Sequence, residues 1–522
     1  MSRMLGGLLL SFFLVSSIFL SATALSSNDV SAIQLQQETT TNPINEYTSY
    51  FGGSNIDWSF FATLDDGNLI LIGDTSSTNF PLLNAYQDTQ AGGGDTFIAK
   101  FDSQHQLVFA SYFGGSDLDR ATGMCLDSDG NIITVGLTES SDFPVLNPLQ
   151  GSYGGGTSDG YFAKFSPTGD LLYSSYYGGS GTDWLQRVVC DEDDNLLTVG
   201  TSTSSDIGTT PDVVQPNHAG NNDIILLKLS SDGQTKEFCT YFGSSTSDMS
   251  IGVQYDRHGN LVVFGAATSG DNTTTNAYQE TYGGGTGDVI IIKLDSDAET
   301  LQFATLLGGE DWDFSANLGF DSENNIIVSG YTYSSLFPTM NPYQEEHGGI
   351  NDAFVSKLSA NGEELLFSTF IGGEGEEQIH GGTFLDDGSV VLSGYSTSDD
   401  YPLVNALQDE NQGGRDACII HLEADGQSLR FSTLLGGDRT DSFEWVDVDS
   451  NGNYVLVGFT ASTDLPITNA YQSEYGGSRD VLISVISTTS QPLDSDLLVI
   501  LGVLSGVIIL GVVLVVFHTK RR

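Results

Sequence analysis

Residues 111–179 read SYFGGSDLDRATGMCLDSDGNIITVGLTESSDFPVLNPLQGSYGGGTSDGYFAKFSPTGDLLYSSYYGG. Gly123 to Leu126 and Ile132 to Val135 are short β-prone runs. Asp127, Ser128, Asp129, Gly130 and Asn131 join them, a hairpin turn in which Gly and Asn tolerate positive φ. Tyr161 to Phe165 reads as a third strand, and Leu171 to Tyr177 as a fourth after the turn at Pro167, Thr168 and Gly169. Four antiparallel strands in one unit predict a propeller blade. A linear stack of such units would leave two sheet edges open to aggregation, whereas a ring leaves none.

The opening string of this stretch recurs. SYFGG at Ser49 and Ser111, SYYGG at Ser175, TYFGS at Thr240, TLLGG at Thr305, TFIGG at Thr369 and TLLGG at Thr433 stand 62, 64, 65, 65, 64 and 64 residues apart. A fixed period of this length is the signature of a repeat architecture. The seventh unit ends at Asp480 to Ser487 with its third strand, and the missing fourth is supplied by Thr48 to Gly53 at the other end of the chain. The expected fold is all-β: a seven-bladed β-propeller of four-stranded antiparallel blades over residues 48–487, its last blade closed by the N-terminal strand.

The repeated strings carry a family resemblance. YxGG, DxxGN, FPxxNAYQ (Phe80, Pro81, Asn84, Ala85, Tyr86, Gln87), GGxxD and DxFVxKL (Asp352, Ala353, Phe354, Val355, Ser356, Lys357, Leu358) together resemble the seven-bladed β-propeller repeat known as the SBBP repeat. The third unit departs from it at Gly208 to Gln215, and the seventh has Val485 where lysine is usual. The resemblance implies a secreted or surface protein of a bacterium or archaeon. It implies no reaction and no catalytic residue.

Composition agrees with a large β-rich domain. There are 62 glycines in 522 residues, 50 Phe and Tyr, and only 16% charged residues, against a usual charged fraction of about 25%. Acids outnumber bases 68 to 17. Such a surface repels phosphate backbones, which excludes nucleic-acid binding as a function class.

Both ends of the chain read as addresses. Arg3, the apolar run Met4 to Leu20, and Ser21 to Ala24 with its A-x-A pattern predict a signal peptide over 1–24. A polar segment over 25–47 follows. At the other end a linker over 488–496 leads to Leu497–Phe517, 21 residues without a charge, long enough to cross a bilayer core of about 30 Å. His518 to Arg522 is basic and is expected to stay in the cytoplasm. The expectation is a single-pass surface protein with an extracellular ectodomain, in which Gly502 and Gly506 could pair two membrane helices.

Chemistry is sparse. HExxH is absent, the seven histidines are scattered, and the glycine strings such as Gly154 to Gly156 do not open a helix. Asp447, Asp449, Asn451 and Gly452 resemble the start of an EF-hand loop, but Gly458 stands at its twelfth position and a hairpin turn explains them better. Cys125, Cys190, Cys239 and Cys418 have no CxxC spacing and sit in apolar runs; they read as buried thiols.

Four residue sets stand out. Lys100, Lys164, Lys228, Lys293 and Lys357 share one position in the third strand, with His421 there in the sixth unit; each is expected to bond an acid on a neighbouring strand or blade. Asp57, Asp119, Asp183, Asp248, Asp313, Glu377 and Asp441 follow each GG, or GS in the fourth unit, by four residues. They are read as turn caps or, alternatively, as calcium ligands at the channel mouth; one acid per turn favours caps. Tyr86, Tyr278, Tyr343 and Tyr471 lie in the long loops, either as ligand contacts or packed between blades. Asn272 opens a glycosylation sequon. The function expected is a non-enzymatic surface module binding proteins or glycans, and the alternative is a polysaccharide hydrolase or lyase using channel carboxylates.

Overall fold

The computed structural model describes residues 43–487. The expected signal peptide, membrane helix, cytoplasmic tail and the Gly502/Gly506 pairing lie outside these residues. Among the described residues no helix is long and apolar enough to cross a membrane.

Seven sheets of four antiparallel strands form the ring. Their first strands, Asp57–Asp65, Asp119–Leu126, Asp183–Cys190, Asp248–Tyr255, Asp313–Phe320, Glu377–Phe384 and Asp441–Val448, contact one another in a closed cycle and line the axis. Six blades are continuous in sequence. The seventh combines Asp441–Val448, Tyr454–Thr460 and Asp480–Ser487 with Ile44–Phe51. Ile44 faces Ser487 and Phe51 faces Val481 across the closing pair. The closing strand thus begins at Ile44, four residues earlier than Thr48. The reason is Tyr47, which is buried and stacks on His105 of the first blade at 4.1 Å.

In the second blade the third and fourth strands run Asp159–Phe165 and Leu171–Tyr177, and the first two Asp119–Leu126 and Ile132–Thr138. The first strand therefore starts four residues before the apolar run at Gly123. Its opening residues Asp119, Arg120 and Thr122 are polar because they face the axis or a buried turn, so an apolar-run criterion misses them. The hairpin is held as its composition demands: Asp127 accepts the backbone N–H of Asp129 at 3.0 Å and of Asn131 at 2.8 Å, and Gly130 takes a φ of 74°.

One polar network per blade explains the repeated motifs. In the fourth blade the Gln279 amide donates to Asp288 Oδ2 at 2.9 Å, while its carbonyl accepts the Gly308 N–H at 3.0 Å. The next residue, Gly309, donates to Asp313 Oδ2 at 2.7 Å. Gly308 is wedged between the two acids: a Cβ there would lie 2.6 Å from Asp288 Cγ and 2.6 Å from Asp313 Oδ2. The Gln of FPxxNAYQ, the Asp of GGxxD, the GG pair and the acid after it are thus one fastening. The third blade keeps it through Gln215 although its loop departs from the motif.

The long loops between second and third strands lie on the outer strands. Leu83 bridges Ala110, Met340 bridges Ser368, and Val404 bridges Ser432. They cover the row of N–H and C=O groups that each outermost strand would otherwise expose.

Two cysteines differ from the expectation of buried thiols. Cys125 and Cys190 form a disulfide across a sequence separation of 65, while Cys239 and Cys418 are buried and free. The separation equals one repeat, so both residues come down the inner strands of adjacent blades where those strands converge. Closing a loop of that size stabilises by about 4 kcal/mol in the chain-entropy treatment. Cys190→Ser is accordingly expected to lower the melting temperature, and a thiol reductant to lower that of the wild type but not of the variant. An unchanged melting temperature in both would show the bridge to be thermodynamically silent.

Candidate functional site: the axial channel

The structure first places the residues singled out by their repetition. The seven acids are at most 1% exposed. Each opens an inner strand and accepts the backbone N–H four residues before it, at 2.7 Å in Asp57 and 2.8 Å in Glu377. Hydroxyls of the second strand complete the set, as Thr75 and Ser77 do on Asp57. In the fourth blade Ala267 replaces the threonine, and Ser244, standing in place of the second glycine, gives Asp248 its own hydroxyl at 2.8 Å. Among the described residues no group of three or more His, Cys, Asp or Glu is placed to share a metal ion. The geometry is that of turn caps.

The lysines meet the aspartate that starts each inner hairpin. Nζ–O distances are 2.9 Å for Lys100–Asp65, 2.6 Å for Lys164–Asp127, 2.8 Å for Lys228–Asp191, 2.7 Å for Lys293–Asp256 and 3.3 Å for Lys357–Asp321. Lys164 and Lys293 also donate to carbonyls of the next blade, Ser231 and Ala360, at 3.2 Å each. In the sixth blade both partners change together: Leu385 replaces the acid and His421 bonds Tyr454 and Ser389. Breaking one buried partner costs about 3–5 kcal/mol, whereas replacing both is often near neutral. Lys293→Met should therefore destabilise strongly, and adding Asp256→Leu should recover most of the loss in chemical denaturation. A double variant weaker than the single one would sink that reading.

The tyrosines sit on the outer rim, with Tyr86, Tyr343 and Tyr471 exposed by 46%, 37% and 39%. Tyr86 meets Phe113 and Phe165, and Tyr471 meets Phe51 and Phe101, so both straddle a joint between blades. Tyr278 packs at the edge of an interblade core. At the sequon, Asn272 Nδ2, the atom a glycan would occupy, is buried without a partner; this conformation does not present it.

The axis is where the repeats part company. Three residues after the capping acids stand Phe60, Thr122, Gln186, Ile251, Ala316, His380 and Glu444, and one residue after them Trp58, Arg120, Trp184, Met249, Phe314, Gln378 and Ser442. The positions that hold the blade together are nearly identical in every unit; these are not. All four tryptophans of the chain belong here: Trp58, Trp184 and Trp445 on inner strands, and Trp312 immediately before one.

Two cavities of about 410 Å³ and 730 Å³ lie along the axis. The smaller takes in Phe60, Arg120 and Phe314, near the face where the inner strands begin, and the larger reaches Cys125, Cys190 and Asp447 towards the hairpin face. Arg187, Ala316, His380 and Glu444 line both and so mark the waist. There His380 Nδ1 stands 3.0 Å from Glu444 Oε2. Arg187 lies over the Phe61 ring at 4.6 Å, and burial lowers its guanidinium to about 10 against the opposing pull of Glu444.

At the mouth, Arg479 lies over Phe459 at 4.2 Å and Trp58 at 4.8 Å, and burial lowers its pKa as well. Arg120 bonds Asp74 at 2.6 Å, and burial raises that carboxyl to about 7 in spite of the arginine. Trp312, Phe314, Tyr331 and Tyr333 form a contiguous aromatic cluster on the fifth blade. Repetition could not reveal these residues. Comparing the seven units column by column for the places where they disagree would have.

Comparison with known proteins assigns the chain to no family. No protein-family model matches the chain. The regulatory protein FlaEY of Caulobacter vibrioides is 23% identical over 417 residues, covering 76% of this chain and 42% of that protein. This chain thus matches less than half the length of that relative. Among solved structures, a PL25 ulvan lyase bound to a sugar has a TM-score of 0.45 at 10% identity, covering 82% of this chain and 94% of that one. BBS1N in complex with ARL6DN has a TM-score of 0.43 at 8% identity, covering 87% and 98%.

Proposed function

We propose that this protein is a non-enzymatic cell-surface binding module that takes a glycan at the mouth of its axial channel. The observation that carries the reading is the concentration of all four tryptophans and of three arginines, Arg120, Arg187 and Arg479, on the one surface where the repeats diverge. Aromatic faces offer rigid apolar area to sugar C–H groups, and arginine forks add direction. Register places Ser487 at the hairpin face, opposite the mouth. A chain tethered beyond that residue would leave the mouth free to meet a ligand.

The second reading, hydrolysis or elimination by channel carboxylates, draws on Glu444 beside His380 and on Asp447, whose carboxyl burial raises. A glycan array probed with the detergent-purified full chain, followed by product analysis of every hit, separates the two. Binding with the sugar recovered intact supports the module. Shortened or unsaturated products support the enzyme, and capture of proteins with no sugar bound would move the ligand to another class.

A further inference from the structure

We infer that the channel, from its mouth at Arg479 to its waist at Arg187, binds an acidic glycan whose carboxylate or sulfate groups these two arginines hold; this rests on the proposed glycan binding and specifies the ligand. The argument is one of unmet charge. Sixty-eight acids surround 17 bases, so almost every base of the propeller has found a partner. The five repeat lysines, Arg120, Arg415 and Arg430 pair with carboxylates, Arg439 has Asp438 at 3.9 Å, and Lys236 and Arg257 donate to the carbonyls of Gly208 and Asp321. Among the described residues the side chains of Arg187 and Arg479 have neither a carboxylate within 4.0 Å nor a hydrogen bond; Arg187 lies on Phe61 and lines both axial cavities, while Arg479 lies on Trp58 and Phe459 at the channel mouth.

Partly burying two guanidinium groups with only the more distant Glu444 as counter-charge is costly, and a chain this acidic had carboxylates to spare. Leaving both forks open suits a ligand that brings its own anion, since arginine matches a carboxylate or sulfate with two parallel N–H bonds. Their placement adds an order. Arg479 rests on Trp58 and Arg187 on Phe61, further down the same strand past the bulge between Ser59 and Phe61, so the two stations follow one another along that strand. One extended polymer with an acidic group on successive units meets both, while Trp58 and Phe60 face its sugar rings.

The surrounding negative charge makes a distinctive prediction. Long-range repulsion slows an acidic ligand, and salt screens that repulsion while leaving an enclosed ion pair largely intact. Affinity should hold or rise between about 0.02 M and about 0.2 M salt, opposite to the fall shown by adventitious binding on a basic patch.

The test is calorimetric titration of the full chain with oligogalacturonate, its methyl ester as the neutral control, and a sulfated dextran oligomer. The acidic oligomers should bind at least about tenfold tighter than the ester, with the better of them naming the anion. Arg187→Gln and Arg479→Gln should each remove about that factor from the acidic oligomers and weaken ester binding clearly less. Should a variant misfold, galacturonate and inorganic sulfate competing in the wild type give the same readout through tryptophan fluorescence. Equal affinity for ester and acid, or no loss in either variant, would overturn the inference while glycan binding stands. No binding by any of the oligomers would overturn this inference, and an array empty of sugars besides would overturn the broader reading with it.

Discussion

Deleting residues 43–53 is expected to abolish folding of the whole propeller. The strand Ile44–Phe51 is a minority of one blade, yet Tyr47, Tyr50 and Phe51 on it are 2%, 1% and 0% exposed. Phe51 alone meets Phe80 at 4.8 Å and Phe101 at 5.0 Å in the first blade. Burying three such side chains is worth roughly 5–9 kcal/mol, comparable to the entire net stability of about 5–15 kcal/mol for a typical domain. Its removal also bares the edge of Asp480–Ser487 and separates the first blade from the seventh. The deletion variant should aggregate and show no cooperative melting. Because Ile44 lies beside Ser487, moving the strand to follow Ser487 through a short turn should restore the monomer. A deletion variant that stays monomeric and melts like the parent would show that closure contributes little.

Acidification should stabilise this protein over a range where many proteins are indifferent. Each first glycine of the GG pair is flanked by two buried carboxylates, and the fold holds several of them protonated more readily than usual. Burial, reinforced by the neighbouring acid, brings Asp119 and Asp416 to about 6 and Asp313 and Asp480 to about 7. Burial alone brings Asp288 to about 6. A folded pKa raised above the unfolded value contributes stability that is complete below about pH 4 and is lost as pH climbs through 6 to 7. The acids of the lysine pairs act in the opposite sense. Burial works against the charge of Asp127, Asp191 and Asp256, but the lysine and asparagine bonds outweigh it and their pKa values fall. Their contribution is lost only in stronger acid.

The melting temperature should therefore rise from about pH 8 to about pH 5 and fall below about pH 4. Asp288→Asn isolates one member. Asp288 Oδ2 accepts both bonds and Oδ1 has no partner, so an amide nitrogen fits in the Oδ1 position. The variant should gain on the order of 2 kcal/mol at pH 8, about half of that at pH 5 and almost nothing near pH 3. A maximum near neutrality with no gain from Asp288→Asn would mean that these acids stay charged.

How much of this was readable in the sequence follows from what a repeat conserves within itself. The SYFGG strings, the DxxGN turns and the strand missing after Ser487 gave the blades, their number and the split closure, because every unit solves the same packing problem with the same residues. The lysine column was visible for the same reason, and its aspartate partner became clear only once strands two positions apart in the sheet were seen to share a face. Arg187, His380 and Glu444 left no such trace. Each occurs once, Arg187 between Gly123 and Gly252 of the adjoining units, and His380 and Glu444 in a column that also holds Phe60, Thr122, Gln186, Ile251 and Ala316, so nothing marks it until the column is known to face the axis. The Cys125–Cys190 bridge was obscured in a different way: its partners sit in unremarkable apolar runs, and only their one-period separation betrays that adjacent inner strands bring them together.

The antiparallel neighbours of Asp480–Ser487 also set how the molecule responds to mechanical load. Tension applied at Ser487 runs along a strand gripped on both sides, by Tyr454–Thr460 and by Ile44–Phe51. Pulling along its length strains both ladders at once, in shear, whereas a terminal edge strand would peel away one bond at a time. A load entering at Ser487 is therefore shared at once between the first and last strands of the described chain, which that blade joins.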